Sequence, residues 1–434
     1  LTFVFLGISS STLIIFFVRH FDDKDYFVYS SWLIAFTFVL SVFTIRYGGL
    51  LGLLTLTTSA ITYFVFVILT IDFILKKKFA DKIKSIQLVA FVSTLALTII
   101  FLLLFNRELI FHVLSDIKVG LLHPMGTDRI TLTVAENSQP FFSTWKGTFG
   151  LGFFWIFFIA SVLLFYEAIA ELKKSEKIFL SLVYILFLVG VIFSRYKGDT
   201  IMNGTSLLSQ FVFFGSFVIF ILSFALVYFL GQKNKEMEKF KRIDREAIFI
   251  LVLFFWAVVS ARGGIRNFFI LAPIVSILVG YLAIDIPIKA KKSKEDLLRI
   301  VLIIVSIAVI LLLMQTFYSY YKSVKYEAKY NVPSAYTVQW QYAMSWVRDN
   351  TPKDSVFAHW WDYGYWVQSI GNRATVLDGG NSIVYWDHLM GRYSLTGTDD
   401  LQDLEFLYTH NTTHFLIDST DIGKYSAFSS IGSD

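Results

Sequence analysis

Ten apolar runs, each near the length of a bilayer-crossing helix, follow one another through residues 1–318: 1–18, 29–45, 50–75, 87–105, 148–168, 177–194, 207–231, 247–261, 265–286 and 298–318. Roughly 20 mostly apolar residues carry a helix across the hydrocarbon core. A soluble domain has no interior for so many runs of that length, whereas in a bilayer a helix satisfies its own backbone hydrogen bonds. Composition agrees, with 56% hydrophobic residues, a mean hydropathy of +0.62 and 16% charged residues, against about 25% charged in soluble domains. The expected fold is a polytopic α-helical membrane protein of about ten transmembrane helices.

The placement of charge tests that reading. Lys and Arg exceed Asp and Glu by five, 38 against 33, a surplus that elsewhere would suggest nucleic acid. Here the basic residues collect in loops between alternate runs: Lys76, Lys77 and Lys78 with Lys82 and Lys84, Lys173 and Lys174 with Lys177, Lys233 to Arg245, and Lys289 to Arg299. Such loops stay cytoplasmic, so the charge sets orientation and no nucleic-acid partner is expected. The other set then faces outward: Tyr47 to Gly49, the long loop 106–147, Arg195 to Ser206, Arg262 to Arg266, and residues 319–434. The expected location is a cell membrane, crossed many times, with that long loop and the C-terminal domain on the external face. Leu1 lies inside an apolar run with neither an initiating Met nor a charged leader before it, which argues against a signal peptide and for a start in mid-protein. The lack of cysteine excludes disulfides, thiolate metal sites and a cysteine nucleophile.

After residue 318 the pattern changes. Strand-like runs such as Ala374-Thr375-Val376-Leu377 and His414-Phe415-Leu416-Ile417 stand between Gly, Asn and Asp turns, and Thr337 to Asp349 has helical spacing before Pro352. We expect a mixed α/β domain over residues 319–434, truncated at its end as well if no closing element follows Asp434.

His359-Trp360-Trp361-Asp362-Tyr363-Gly364-Tyr365-Trp366 is the most unusual stretch. By composition alone, an aromatic core or an interfacial belt explains its indoles as well as a binding site does. As a site, two indoles would wall a small pocket, Asp362 would accept a hydrogen bond from a ligand hydroxyl or amide, and Gly364 would let the backbone approach closely. Glu136 on its own reads as a solvated loop acid, Arg266 equally as an interfacial arginine or as a phosphate ligand, and Asp421 with Lys424 as a helical ion pair of little energetic value. The histidines His359, His388, His410 and His414 form no compact ligand pair, and no metal is assigned to them. Asn203-Gly204-Thr205 and Asn411-Thr412-Thr413 have the form of glycosylation acceptors, a pattern that also occurs by chance.

Trp-Trp-Asp-Tyr-Gly at 360–364 resembles the signature of the catalytic subunits of oligosaccharyltransferases, the STT3/AglB/PglB family. Three more segments fall in the order that resemblance requires. Thr133-Val134-Ala135-Glu136-Asn137-Ser138-Gln139-Pro140 looks like the family's mobile loop, Arg266-Asn267-Phe268-Phe269-Ile270-Leu271-Ala272-Pro273 is similar to its Arg-led turn into a late span, and Asp421-Ile422-Gly423-Lys424 resembles its Asp-x-x-Lys helix, with Phe428 where Met is common. The resemblance implies a GT-C type membrane fold and transfer of a glycan from a polyprenyl or dolichyl phosphate or pyrophosphate carrier to Asn of Asn-x-Ser/Thr, with inversion at the sugar carbon. It implies a divalent cation, Mn2+ or Mg2+, with Glu136 as catalytic carboxylate and metal ligand. Trp360, Trp361, Asp362 and Ile431 would bind the acceptor Ser or Thr, Asp421 and Lys424 would wall that pocket, and Arg266 would take the lipid phosphate. The implied partners are lipid-linked oligosaccharide and an acceptor polypeptide, in an archaeal-type, single-subunit setting.

The family's acidic motifs of the first two external loops are not found. Asp22-Asp23-Lys24-Asp25 falls on the cytoplasmic side and is read as a decoy. We therefore expect a chain that starts within the membrane domain, lacks most metal ligands and is inactive alone. Two other readings remain. A GT-C glycosyltransferase with another acceptor fits the spans but not a hydroxyl-reading Trp-Trp-Asp pocket. A transporter would favour ionisable residues or broken helices in mid-span, and these spans have few.

Overall fold

A computed structural model describes residues 2–18, 21–43, 49–50, 53, 57–79, 82–83, 85–105, 118–123, 128–234, 236–330, 336–380 and 383–433. Parts of the expected third run (51–52, 54–56) and of the long loop (106–117, 124–127) lie outside the described residues, as do Tyr47, Gly48 and Lys84. Among the described residues nine helices are long and apolar enough to cross a membrane: Asp23–Val42, Ser59–Phe79, Ile86–Leu104, Leu151–Ala168, Lys174–Phe193, Leu207–Lys233, Arg245–Gly263, Ile265–Lys292 and Asp296–Tyr330. The first run is also helical, Thr2–Val18, but at 17 residues it is shorter than these nine. The chain is a polytopic helical membrane protein.

The helix surfaces suit lipid. Asp296–Tyr330 buries only Ser306 and Val309 and leaves Leu297, Ile304, Leu311 and Met314 exposed, a distribution that water would penalise and hydrocarbon does not. Since lipid supplies no hydrophobic drive between helices, cohesion rests on close packing and small residues. Phe187 stacks on Phe220 and Phe255 with ring centroids 4.9 and 5.1 Å apart, and Trp145 is fully buried beside Phe149, Phe154 and Phe268. At Gly190 the helices Lys174–Phe193 and Leu207–Lys233 approach so closely that a Cβ would stand 2.4 Å from the Ser216 Cβ and 3.1 Å from the Val212 carbonyl. Overpacking of this kind costs about 1–3 kcal/mol. Gly190→Val is expected to lower the melting temperature of the purified protein, whereas Gly215→Val, with nothing within 4 Å of its Cβ position, leaves it unchanged.

The chain divides into two compact units, one of Leu1–Gly126 with Glu136–Thr316 and one of Thr127–Ala135 with Phe317–Asp434. A piece of the long loop thus joins the C-terminal unit. That unit holds a three-stranded parallel sheet in the order β2-β1-β3, with β1 Val356–Ala358, β2 Ala374–Thr375 and β3 His414–Phe415. Both outer strands are two residues long, although the N–H groups of Val376 and Leu416 extend the pairing to the Phe357 and Ala358 carbonyls at 2.9 Å each. The helix with apolar spacing runs Val338–Asn350, begun by Thr337. The helices Gly364–Ser369, Val384–Leu389, Asp400–Thr409 and Asp421–Gly432 complete a mixed α/β unit.

Candidate functional site

In a parallel sheet the loops after the carboxyl ends of the strands share one edge, where open α/β folds bind ligands. The three strands deliver Trp360 to Asp362 after β1, Asp378 after β2, and Asp418 to Lys424 after β3 to that edge. The sequence 360–364 therefore stands after the central strand because Val356, Phe357 and Ala358 form the strand before it.

Trp361–Tyr363 is one tight helical turn that leads into Gly364–Ser369. Gly364 has ordinary helical angles, φ −55° and ψ −44°. Its lack of a side chain serves space instead, because a Cβ there would lie 2.5 Å from both the Leu377 carbonyl oxygen and the Asp378 Cα. The close approach expected at Gly364 is thus made by the chain's own backbone after β2. Trp360 is buried with its ring 4.7 Å from Phe428, and Ile431 is buried in the same cluster. Phe428, standing where Met is common, fills the space against the Trp360 indole.

Asp362 is exposed and its Oδ2 lies 2.7 Å from Lys424 Nζ. Lys424 Nζ also donates to the Tyr363 hydroxyl at 2.9 Å, and that hydroxyl donates to Asp421 Oδ1 at 2.6 Å. The helix Asp421–Gly432 is thereby joined to the Trp-Trp-Asp turn through one ammonium and one phenol. Burial acts to lower the Lys424 pKa, but the bonds to Asp362 and Tyr363 outweigh it and hold the pKa above the usual lysine value. The Tyr363 pKa is raised, by burial first and then by its bond to Asp421. Trp361 Nε1 is buried with no partner among the described residues. A hydroxyl that both donates and accepts would match an indole N–H and a carboxylate oxygen carried on the same turn.

His359 is fully buried, and its Nδ1 lies 2.7 Å from the Trp360 carbonyl. A carbonyl only accepts, so Nδ1 carries the hydrogen and Nε2 is a bare lone pair without a partner among the described residues. Burial lowers the His359 pKa, in keeping with a neutral ring that shapes the turn from beneath.

The remaining predicted residues belong to the other unit. Glu136 is exposed in the short turn Ala135–Asn137, and Arg266 is exposed in the turn Ile265–Asn267 that opens the helix Phe268–Lys292. One hydrogen bond ties these two turns together, Ile265 N–H to the Ser138 carbonyl at 3.0 Å. Neither Glu136 nor Arg266 has an ion pair among the described residues. The predicted residues thus gather into two sets, Trp360, Trp361, Asp362, Asp421, Lys424 and Ile431 in the C-terminal unit, and Glu136 with Arg266 in the membrane unit.

No family model matches the chain. Similarity to curated proteins is informative. Over 222 residues, half of the chain, it is 26% identical to the "Dolichyl-phosphooligosaccharide-protein glycotransferase 1" of Pyrococcus horikoshii. Over 98 residues, 22% of the chain, it is 34% identical to the protein of the same name from Pyrococcus furiosus. Over 36 residues, 8% of the chain, it is 47% identical to a rice "Dolichyl-diphosphooligosaccharide--protein glycosyltransferase subunit STT3B". These relatives all carry names of dolichyl-phosphooligosaccharide- or dolichyl-diphosphooligosaccharide-protein glycosyltransferases, and the chain resembles them in sequence. The matches span only 22%, 10% and 5% of the lengths of these three relatives.

A divalent cation held by this chain would need a sufficient set of oxygen donors. Mg2+ favours about six oxygen ligands in octahedral array. Glu136 offers a single carboxylate, and no three His, Asp or Glu side chains converge on a metal position among the described residues. The described residues therefore do not complete a coordination shell. Two participants had no signal in the sequence. Ile130, on the loop helix Arg129–Thr133, packs against the cluster of Trp360, Phe428 and Ile431. Asp378, after β2, lies against Gly364.

Proposed function

We propose that this chain is part of the catalytic subunit of an oligosaccharyltransferase, which transfers a glycan en bloc from a polyprenyl or dolichyl phosphate or pyrophosphate to the asparagine of Asn-x-Ser/Thr. The observation that carries the reading is the Trp361–Asp362 turn in a chain whose curated relatives are glycotransferases of this kind. The turn offers an indole N–H without a partner among the described residues, beside a carboxylate with one oxygen held by Lys424. In this reading the acceptor hydroxyl donates to Asp362 and accepts from Trp361, while Trp360, Ile431 and Asp421 support the pocket from behind.

The amide nitrogen of asparagine is a poor nucleophile because its lone pair is delocalised into the carbonyl. Glu136, accepting a hydrogen bond from the amide N–H, draws that lone pair back towards nitrogen as it attacks the sugar carbon. The sugar–phosphate bond breaks as the nitrogen–carbon bond forms, the amide passes one proton to the Glu136 carboxylate, and the carrier leaves as its phosphate, which Arg266 pairs with. A divalent cation, Mn2+ or Mg2+, with Glu136 among its ligands belongs to the same reading. Both turns face the exterior in this proposal, on the strength of the Lys- and Arg-rich loops opposite.

The test uses the full-length protein, its lipid-linked oligosaccharide and an Asn-x-Thr peptide. Glu136→Gln is expected to lower kcat about 100-fold or more, the scale of losing one aligned electrostatic contact in a transition state. Asp362→Ala is expected to raise KM for Asn-x-Thr about tenfold without slowing the residual reaction of Asn-x-Ala. Wild-type kinetics in both variants would overturn the proposal.

A further inference from the structure

The segment just after Glu136 is held by one buried and one half-buried guanidinium group. Arg262 is 1% exposed and its Nη1 donates to the Gln139 side-chain oxygen at 3.0 Å. Arg195 Nε donates to the Gln139 carbonyl at 3.1 Å and Nη1 to the Asn203 carbonyl at 3.0 Å, with its Cζ 4.2 Å from the Phe141 ring centre. Gln139 in turn donates from Nε2 to the Leu122 carbonyl at 2.6 Å. Neither arginine has a carboxylate partner among the described residues. Taking a guanidinium out of water without an anion is costly, which makes a mere packing role for Arg262 an expensive one. The same segment makes two further anchors, Ser138 carbonyl to Ile265 N–H at 3.0 Å and Phe142 N–H to the Arg195 carbonyl at 3.2 Å.

Glu136 lies two residues before the Ser138 anchor, and Arg266 one residue after Ile265. We infer that Arg262 and Arg195 are positioning residues, which clamp Gln139 so that the Glu136 turn and the Arg266 turn keep one fixed register. The catalytic consequence rests on the proposed function, but the clamp itself does not. Loss of the Gln139 side chain frees one end of the pair of turns, so Glu136 samples orientations away from the amide while acceptor binding, made elsewhere, persists.

Hydrogen exchange on the full-length protein reads the clamp directly, because the Ile265 and Phe142 amides are its anchors. Gln139→Leu is expected to speed exchange at both about tenfold, with the helix Lys174–Phe193 unchanged, and to lower kcat about tenfold at constant KM for the peptide. Gln139→Glu keeps the acceptor for Arg262 and makes it an anion, while giving up the bond to the Leu122 carbonyl. It is expected to hold exchange at the wild-type rate and to keep kcat, so a poorly folding Gln139→Leu leaves the clamp testable. Unchanged exchange at Ile265 and Phe142 in Gln139→Leu, or faster exchange in Gln139→Glu, would sink the clamp. Faster exchange in Gln139→Leu with unchanged kcat, in a protein that Glu136→Gln inactivates, would remove its positioning role. Full turnover in Glu136→Gln would instead count against the functional reading, and exchange would still decide the clamp.

Discussion

Arg373→Met is expected to destabilise the C-terminal unit by about 3–5 kcal/mol, the range seen when one partner of a buried polar network is removed. Arg373 is buried and uses all three guanidinium nitrogens on the chain's own oxygens. Nε donates to the Thr351 hydroxyl at 2.9 Å, Nη1 to the Asn372 carbonyl at 2.8 Å, and Nη2 to the Arg348 and Thr351 carbonyls at 2.7 and 2.6 Å. Two of those carbonyls lie at the end of the helix Val338–Asn350, where no helical N–H is left to meet them and where the helix dipole favours a cation. The arginine therefore ties that helix to the entry of β2. Methionine matches much of its length and none of its donors, so all three carbonyls lose the guanidinium and that of Thr351 loses it in a buried position. Hydrogen exchange on the full-length protein should show protection lost throughout β1 and β3 but kept in Lys174–Phe193. Unaltered protection in β1 would contradict the assignment. Arg373→Lys, which cannot span the fork, should fall between.

Gly364→Val should have the second largest effect. A Cβ at 2.5 Å from the Leu377 carbonyl and the Asp378 Cα meets backbone on both sides and cannot be relieved by a rotamer change. The added bulk has to push the β2 exit away from the Trp-Trp-Asp turn. The expected loss is about 2–4 kcal/mol, measured by denaturant unfolding followed at peptides of the C-terminal unit. Gly423→Val is the control, since nothing lies within 4 Å of its Cβ position. Equal stability of the two variants would show that residue 364 does not need to be glycine for reasons of space.

The membrane architecture was legible because hydropathy is a property of long windows. Each run of about 20 apolar residues states its own fate without reference to its neighbours. The first run shows the limit of that logic, since a helix of 17 residues forms there and is still shorter than the nine others. Both outer strands fall inside the runs 374–377 and 414–417 that read as strand-like, each only two residues long, while the central strand Val356–Ala358 was not singled out. The helical spacing at 338–350 was clear, yet nothing in it announced that Arg373 would close its end.

Within the site, Trp360 to Gly364 was conspicuous by composition, but the partners of each residue are set by tertiary distance. Lys424 reaches Asp362 across 62 positions of chain because β1 and β3 are neighbours in the sheet. Topology, invisible to local pattern, made that pair. Of the indoles, Trp360 is packed on Phe428 in the core, whereas Trp361 keeps an N–H with no partner among the described residues, a division that identical residue types side by side cannot reveal. Gln139, Arg195 and Arg262 looked like ordinary loop and boundary residues, and only their convergence distinguishes them.

The loop helix Arg129–Thr133 has a temporal implication. Arg129 donates to the Ser433 carbonyl across 304 positions of sequence, and the loop helix packs on the helix Asp421–Gly432. At a synthesis rate of about 5–20 residues per second, the loop emerges roughly 15–60 s before its partner exists. During that interval Ile130 has no apolar surface of the C-terminal unit to cover it. The membrane helices can assemble as they are made, whereas the C-terminal unit gains this contact only when the helix Asp421–Gly432 arrives and recruits a segment of chain made long before. A nascent chain paused between residues 318 and 421 should therefore carry an accessible, protease-sensitive 128–135 segment that becomes protected on release.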